Sequence, residues 1–163
     1  MEIWDIYNSK KEKTDKQICR GESLSDDEFH LVINAWIKND KGQFLITQRA
    51  PNKSFPLMWE CTGGSALAGE NGLQTAIREI KEELGLKLDG KTACLVGSTL
   101  RYFKGCPDIL EVYLFKCNSS LEEIKIQKEE VINVMWASKA EILKLYNDNM
   151  FEANSFFMDA ICT

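Results

Sequence analysis

The sequence predicts an α/β protein in which a mixed β-sheet is sandwiched between α-helices. Short apolar runs rich in β-branched and aromatic residues recur along the chain and are separated by turn residues. Segments with the helical spacing of apolar residues lie between and after these strand runs. Strands and helices in that order bury their apolar faces most simply as one sheet with helices on its faces.

The strand predictions rest on apolar runs that end at turn residues. The run 29–38, the turn cluster 39–42 and the returning run 43–48 predict a hairpin. The charged stretch 9–16 is predicted to be a hairpin tip or a loop. Further strands are predicted at 59–62, 93–102, 110–117 and 131–136.

Two helices are predicted with defined boundaries, and a third is a candidate. The first helix spans 70–84 and stops at Gly85, a residue type that often ends helices. The second helix begins at Ser138, which forms a capping box with Glu141. The segment 151–162 is the candidate for the third helix.

Length and composition predict a single domain over residues 1–163. The chain is 44% hydrophobic and 28% charged, and no repeat, Pro-rich linker or low-complexity stretch divides it. No apolar run approaches the roughly 18 residues that a membrane helix needs. The N-terminal Met-Glu-Ile-Trp-Asp lacks the pattern of a signal peptide. We therefore expect a cytoplasmic protein that does not act in a membrane.

Net charge and cysteine usage exclude several other classes. A net charge of −5 argues against a surface for nucleic-acid polymers, although local cations or metal ions can still bind a small polyanion. The six cysteines are scattered without a CxxC pair, which predicts free and mostly buried thiols. A single histidine and the lack of paired cysteines argue against a structural zinc site.

The segment 70–84 carries three carboxylates on one helical face. On a helical wheel of about 100° per residue, Glu79, Glu82 and Glu83 fall in one arc. Toward the N-terminus this arc carries only Gly72 and Thr75, which leaves space above the carboxylates. The adjacent apolar arc, which we expect to face the core, consists of Leu73, Ala76, Ile77, Ile80 and Leu84.

A solvated acidic face is the simplest alternative to a metal site, because like charges on one helical face repel. Two features weaken this alternative. Arg78 precedes Glu82 by one helical turn and can restrain a carboxylate, and Gly63-Gly64 lets backbone approach a ligand closely. Hard oxygen ligands without histidine or cysteine favour Mg²⁺ or Mn²⁺ over zinc.

The segment 64–86 resembles the Nudix box, G-x5-E-x7-R-E-U-x-E-E-x-G-U, where U is a bulky aliphatic residue. The resemblance implies the Nudix fold and the hydrolysis of a diphosphate bond. The segment matches the box at every specified position, with Gly64, Glu70, Arg78, Glu79, Ile80, Glu82, Glu83, Gly85 and Leu86.

The resemblance also implies a set of metal ligands. Glu79, Glu82 and Glu83 would bind Mg²⁺ or Mn²⁺, and the backbone carbonyl of Gly63 or Gly64 would add a ligand. The metal ions would polarise the phosphoryl oxygens, neutralise the leaving phosphate and lower the pKa of an attacking water.

Further roles follow from the same resemblance. The expected catalytic residues are Glu79, Glu83 and Arg78, of which Arg78 would orient a glutamate by ion pairing. Glu70 would support the site from behind the metal ligands. The sequence does not decide which group is the general base. The candidates are Glu79, Glu83, Glu129 and Glu130.

Sequence outside the box resembles the Nudix branch that contains isopentenyl-diphosphate isomerase and its hydrolase relatives. By this similarity Arg49 and Lys53 would contact the diphosphate, one as a planar fork and the other as a point charge. The alternative for each is a solvated cation at a strand end. The similar segments are 4–7, 28–37, 46–50 and 55–64, within about residues 3–140.

Two departures argue against isomerisation. The isomerase has a cysteine and a Gly-His-Pro-like stretch after the tryptophan motif, and it has a second histidine upstream. Here the corresponding turn begins at Gly63-Gly64, His30 is the only histidine, and Cys61 is out of register. The isomerase also has a degenerate Nudix box, whereas this box is complete.

We therefore expect hydrolysis of a nucleoside diphosphate or of a compound linked to one. The alternatives are an isopentenyl-diphosphate isomerase and an inactive Nudix domain kept as a binding module. The intact box argues against the binding module, because binding alone does not require five charged residues in metal-binding register.

A few residues outside the box have two interpretations. His30 is expected to be a hydrogen-bonded structural histidine, and Glu111 is a candidate for a further ligand or base. The substrate, the number of metal ions and the choice between monomer and homodimer stay open. Four aromatic residues are expected in the core or at the rim rather than stacked on a base: Trp36, Trp59, Tyr102 and Phe103.

Overall fold

A computed structural model of the chain describes all residues, 1–163, and contains nine strands and three α-helices. The strands are β1 (Ile3–Tyr7), β2 (Lys13–Cys19), β3 (His30–Lys38), β4 (Phe44–Arg49), β5 (Trp59–Glu60), β6 (Thr62–Ser65), β7 (Cys94–Arg101), β8 (Asp108–Lys116) and β9 (Val131–Ala137). The helices are α1 (Gly72–Leu84), α2 (Lys139–Asn147) and α3 (Phe157–Cys162).

The strands form a two-stranded hairpin and a seven-stranded sheet. β1 pairs with β2, and the larger sheet has the order β5-β4-β3-β8-β7. In addition, β6 pairs with β3 and β9 pairs with β4. β3 and β8 run parallel, whereas the other paired neighbours run antiparallel. The predicted mixed sheet is therefore confirmed.

Helices cover both faces of the larger sheet. Successive residues of β3 point to opposite faces. On one face Ile33 packs in a cluster with Ile80 of α1. On the other face Trp36 packs in a cluster with Ile142 of α2 and Phe157 of α3. All five side chains are buried. The predicted arrangement of a sheet between helices is confirmed.

Both ends of α1 are fixed by specific caps. The side chain of Asn71 accepts a hydrogen bond from the backbone of Gln74, and the Gln74 side chain accepts one from the Asn71 backbone. This capping box starts the helix at Gly72 rather than at the predicted residue 70. Gly85 ends the helix with φ of 68°, a left-handed conformation that favours glycine, as predicted.

The stretch 9–16 was predicted to be a hairpin tip or a loop, and its first half does belong to the tip between β1 and β2. Its second half is strand, so that part of the prediction was wrong. Lys13 begins β2, and its ammonium pairs with the buried Asp5 of β1 at 2.6 Å. The Thr14 hydroxyl donates to the Ile6 carbonyl at 2.9 Å. Charged side chains hide this strand in the sequence because β2 has one mostly solvated face and pairs with only one neighbour.

Two other boundaries differ from prediction. The strand predicted at 59–62 is split, because β5 pairs with β4 whereas β6 pairs with β3. The predicted helix at 151–162 is confined to α3. Residues before it run beside β5, where the Trp59 amide donates to the Met150 carbonyl and the Glu152 amide donates to the Trp59 carbonyl. These backbone bonds hold the segment extended.

All six cysteines are free thiols in the structure, but the prediction that they are mostly buried was wrong. Only Cys61 is buried, and Cys94 and Cys162 are exposed. Cys61 is fully buried in the cluster that contains Trp36, and burial raises its pKa well above the ordinary value. None of the helices combines the length and the apolar character needed to cross a membrane.

Candidate active site

A polar cavity of about 430 Å³ lies where α1, β3 and β6 meet. Of its 21 lining residues only Val32 and Ile33 are hydrophobic, so the cavity suits a polar or charged ligand. The other lining residues are Glu2, Arg20, Asn34, Arg49, Lys53, Ser54, Glu60, Gly63, Gly64, Ser65, Arg78, Glu79, Glu82, Glu83, Arg101, Gln127, Glu130, Glu152 and Asn154.

Arg78 is the centre of the hydrogen-bond network on the α1 side of the cavity. Its Nε and one terminal nitrogen donate to the two carboxylate oxygens of Glu70 at 2.8 and 2.9 Å. Its other terminal nitrogen donates to Glu79 at 2.8 Å and to Glu82 at 3.1 Å. A further bond to the Ser65 carbonyl at 3.0 Å ties the guanidinium to β6. Arg78 therefore holds three carboxylates in place, those of Glu70, Glu79 and Glu82.

Glu70 lies behind this network. It accepts hydrogen bonds from the Leu67 amide at 3.0 Å and from the Thr75 hydroxyl at 3.1 Å. Burial by itself raises its pKa, but the bonds from Arg78, Leu67 and Thr75 outweigh burial and lower it below the ordinary value. Glu70 is thus an ionised anchor for Arg78.

The two glycines of β6 leave room for the side chains around them. A methyl group on Gly64 would collide with the carboxylate of Glu79. A methyl group on Gly63 would lie 2.7 Å from the amide nitrogen of Asn34 and 2.7 Å from the Ile33 carbonyl oxygen. A side chain at Gly63 would therefore require the Ile33 backbone to shift, whereas a side chain at Gly64 would displace the carboxylate of Glu79.

Glu79 and Glu83 are carboxylates held partly out of water. Burial raises the pKa of Glu79 to about 7, against the opposing effect of Arg78. Glu83 is buried, and burial raises its pKa well above the ordinary value, with Glu79 and Glu60 adding to the effect. Glu82 is different, because half of its side chain is exposed.

The donor set of this cavity wall fits a hard divalent cation. Burial raises the pKa of Glu79 despite its bond to Arg78, and Glu83 has no ion pair in the protein. A divalent cation beside these carboxylates would supply positive charge to both. The side chains are not, however, assembled into a ready cluster of three or more ligands. The reason is Arg78, which draws the carboxylates of Glu79 and Glu82 to itself.

Arg49 and Lys53 both line the cavity, but each is already paired with a carboxylate. Arg49 donates to Glu60 at 2.5 Å and to the Ser54 carbonyl and hydroxyl at 2.5 and 2.9 Å. Lys53 forms an ion pair with Glu130. Their contact with a diphosphate stays a prediction, and it would require each residue to change partners.

The remaining cations of the cavity are paired as well. Arg20 contacts Glu2 at 2.8 Å. Arg101 donates to both oxygens of the buried Asp108 at 2.7 and 2.8 Å, and also to Asn154 at 2.6 Å. Since Arg78 is bound to three glutamates, every cation that lines the cavity has a carboxylate partner.

Sequence reasoning missed several residues of this cavity. Glu60 faces Arg49 beside Glu152, and its pKa rises to about 7 because of burial, which outweighs the attraction of Arg49. Glu60 lies in the segment 55–64, which resembles the isopentenyl-diphosphate isomerase branch, so its position three residues before Gly63 could have indicated a site residue. Glu152, Arg101 and Asn34 carry no motif and come from separate parts of the chain.

Glu111 does not face the cavity, so its prediction as a ligand or base was wrong. Its carboxylate accepts a bond from the Tyr113 hydroxyl at 2.6 Å and lies against Gly72 at the start of α1. Glu111 pairs in register with Ile33 and shares its face of the sheet. Glu111 instead lines a separate, smaller cavity together with Gly72 and Tyr113.

His30 has the structural role that was predicted. It is buried, its Nδ1 lies 3.2 Å from the Pro107 carbonyl oxygen, and its ring stacks on Trp4 with centroids 4.1 Å apart. Burial lowers its pKa below the ordinary value. Cys61 likewise belongs to the core and does not line the cavity.

The aromatic residues and the later loop also have defined places. Trp36 and Trp59 are core residues, whereas Tyr102 and Phe103 are exposed, so no aromatic side chain lines the cavity. The predicted positions in the core or at the rim agree with this distribution. Of the two acidic candidates near residue 130, Glu130 lines the cavity and Glu129 does not.

Comparison with known proteins identifies the family. The model of the NUDIX domain family matches residues 28–157. An uncharacterized Nudix hydrolase of Listeria monocytogenes is 37% identical over 154 residues, which cover 93% of this chain and 88% of that protein. An isopentenyl-diphosphate Delta-isomerase of Shigella boydii is 28% identical over 127 residues, covering 73% of this chain and 67% of the isomerase.

Solved structures agree on the fold. A Deinococcus radiodurans protein superposes with a TM-score of 0.76 over 96% of both chains at 22% identity. The NUDIX domain of Shewanella oneidensis NrtR, solved with ADP-ribose, superposes with a TM-score of 0.62 over 82% of this chain and 84% of that chain, at 18% identity. With its family match and its hydrolase relative, the chain belongs to the Nudix hydrolase family.

Proposed function

We propose that the chain hydrolyses a diphosphate bond in a nucleoside diphosphate, or in a compound linked to one, with Mg²⁺ or Mn²⁺ as cofactor. One observation carries this proposal: Glu79, Glu82 and Glu83 all line, together with the glycines of β6, a cavity that is almost entirely polar. Carboxylates and backbone oxygens are the ligands that these cations take.

The three glutamates of α1 and Arg78 have different parts in the proposed reaction. Glu79, Glu82 and Glu83 hold the cation, with the Gly63 carbonyl as a further candidate ligand. When bound, the cation supplies Lewis-acid charge to the phosphoryl oxygens and acidifies water. Arg78 positions Glu79 and Glu82 by the bonds described above.

A proton acceptor for the attacking water comes from the same carboxylates. A general base works best when its pKa lies near the working pH. In the metal-free protein, burial raises the pKa of Glu79 into this range and raises the pKa of Glu83 in the same direction. Glu130 is a further candidate, because it lines the cavity beside Lys53.

The polar lining supports a nucleotide-type substrate with polar groups on both sides of the diphosphate. Only two of 21 lining residues are hydrophobic, so an isoprenyl chain would find little apolar surface to bury. The similarly folded NrtR domain was solved with ADP-ribose, a compound of the proposed kind. ADP-ribose is therefore a useful first substrate to test.

The isomerase alternative has little support in the geometry. Isomerisation needs an acid and a base placed across a dry pocket. Cys61 and His30 are buried away from the cavity, and burial makes the Cys61 thiol harder to ionise. We therefore expect that Cys61→Ala retains most of its activity, since this side chain only fills the core.

A phosphate-release screen with magnesium tests the proposal. The panel contains nucleoside diphosphates, nucleotide sugars, ADP-ribose, dinucleotides, CoA and isoprenyl diphosphates. We expect turnover of at least one nucleotide-type compound, with label from ¹⁸O-water in a phosphate-containing product. Deuterium incorporated from heavy water into isopentenyl diphosphate, and lost in Cys61→Ala, would assign the isomerase instead.

A further inference from the structure

Asn34 is a buried amide in the cavity wall without a hydrogen-bond partner in the protein. It lies in the middle of β3 and is 9% exposed. Trp4 Nε1 is the only inaccessible side-chain nitrogen or oxygen that lacks a partner. The amide group of Asn34 also lacks a partner but is not among these inaccessible atoms, so part of it is open to solvent. It is open toward the cavity that Asn34 lines.

The position of the Asn34 amide is fixed by the pairing of β3 with β6. Asn34 is opposite Gly63 in the β3–β6 pairing. A methyl group on Gly63 would lie 2.7 Å from the amide nitrogen of Asn34, so only glycine leaves this nitrogen uncovered. The next residue of β6, Gly64, lies against the carboxylate of Glu79. Because successive residues of a strand point to opposite faces, Asn34 and Glu79 lie on opposite faces of β6. β6 pairs only with β3, so its other edge is open, and both side chains line the same cavity. A diphosphate that spans this open edge would reach Asn34.

Asn34 also differs from the cations of the cavity, because those are all paired with carboxylates. Arg49, Lys53 and Arg78 must each weaken an existing ion pair before they can bind an anion. The Asn34 amide has no bond to break. A buried polar group without a partner is costly, and a ligand that supplies the partner recovers that cost on binding.

We propose that Asn34 binds the substrate by donating its amide N–H to a phosphoryl oxygen of the diphosphate. The inference deepens the proposed function and rests on it, because it places the diphosphate beside Gly63 and Gly64. The neutral amide adds a donor without adding charge among the carboxylates of α1. A charged phosphoryl oxygen is a stronger acceptor than a neutral group.

Binding of a diphosphate analogue tests this role independently of turnover. The probe is methylenediphosphonate with magnesium, which carries the diphosphate shape and is not hydrolysed at its bridge. Asn34→Asp keeps the shape but replaces the donor with a negative charge, and Asn34→Ala removes the side chain. Asn133→Asp, on an exposed position of β9, is the charge-matched control.

We expect Asn34→Ala to weaken the calorimetric Kd about 10-fold and Asn34→Asp to weaken it about 100-fold. Asn133→Asp should bind like the wild type. The magnesium concentration for half-maximal binding should stay unchanged in Asn34→Ala. Thermal unfolding of each variant verifies that it is folded.

Three results would overturn the inference. The first is an unchanged Kd in both Asn34 variants, and the second is a wild type that does not bind the probe. The third is tighter magnesium binding in Asn34→Asp with weaker magnesium binding in Asn34→Ala, which would make the amide oxygen a metal ligand. If the wild type binds the probe but hydrolyses nothing in the screen, the proposed hydrolysis fails while the Asn34 comparison still stands.

Discussion

At the residue scale, Glu83 is a buried carboxyl without an ion-pair partner in the protein, and burial raises its pKa well above the ordinary value. We expect Glu83→Gln to lower turnover roughly 10²–10⁵-fold, because it removes a ligand charge while keeping the shape. In chelator at alkaline pH the same variant should be more stable than the wild type, because a neutral amide replaces a buried carboxylate. Its Tm should rise by a few degrees, since about 1 kcal/mol corresponds to roughly 2–4 °C in a protein of this size.

Glu82→Gln separates these two effects. Glu82 is half exposed and paired with Arg78, so this variant should lose activity without gaining thermal stability. Glu122→Gln, in the exposed 3-10 turn Leu121–Glu123, should change neither property. Full turnover in both Glu82→Gln and Glu83→Gln would remove the proposed metal site. Calorimetry and a phosphate-release assay supply the measurements.

The pKa of Glu60 predicts how stability depends on pH. This carboxyl faces Arg49 and Glu152 and is coupled at longer range to Glu83, and burial raises its pKa from 4.5 to about 7. Between these values the folded state holds the proton and the unfolded state does not. The Glu60 contribution to the free energy of unfolding therefore falls as pH rises from 4.5 to about 7.

The Glu60→Gln variant isolates that contribution. We expect the unfolding free energy of the wild type minus that of Glu60→Gln to decrease across this window in metal-free protein. The contribution of the buried His30 to the free energy of unfolding changes with pH in the opposite direction, because its pKa is lowered. His30 is present in both proteins, so its contribution cancels in the difference. A difference that rises with pH in denaturant titrations would contradict the assignment.

The sequence predicts which side chains share a face when they belong to one helix. The spacing of Glu79, Glu82 and Glu83 sets their common face, so the fold adds little to the prediction. Partners from distant segments were not predictable, because the Arg49–Glu60 pair depends on how β4 meets β5. Asn34 was hidden for another reason: a single polar residue inside an apolar strand has no periodic signal.

At the element scale, the capping box of α1 sets where the helix starts. Asn71→Ala removes the acceptor of the Gln74 amide and should cost about 1 kcal/mol, or roughly 2–4 °C in Tm. Asn133→Ala, at an exposed strand position, should cost less. Circular dichroism melting of both variants measures the difference. Equal losses would mean that the side-chain cap contributes nothing.

Strands were predictable from apolar runs, and failures occurred where that signal was weak. β3 and β8 lie centrally in the sheet and read as apolar runs, which placed both correctly. β2 pairs with β1 alone and keeps five of its seven residues exposed or partly solvated before Ile18, so charge concealed it. The switch of partner between β5 and β6 is a tertiary event with no local pattern.

At the scale of the whole molecule, the fold and the cavity are stabilised by different groups. Two apolar clusters on opposite faces of the sheet anchor α1 on one side and α2 with α3 on the other. The cavity contributes almost no apolar contact, and its carboxylates are an electrostatic cost in metal-free protein. Function and stability should therefore respond differently to removal of the metal ion.

Chelation and thermal unfolding together measure that separation. Chelator should abolish hydrolysis while leaving the far-ultraviolet circular dichroism spectrum intact, because Ile80 and Leu84 anchor α1 in the apolar core. Magnesium at about 100 times its Kd should add about 2.7 kcal/mol, or roughly 5–10 °C in Tm. The rise should shrink in Glu83→Gln, which lacks one ligand charge. Full hydrolysis in chelator would refute the cofactor assignment, and loss of helix signal on chelation would show that the cation stabilises the fold itself.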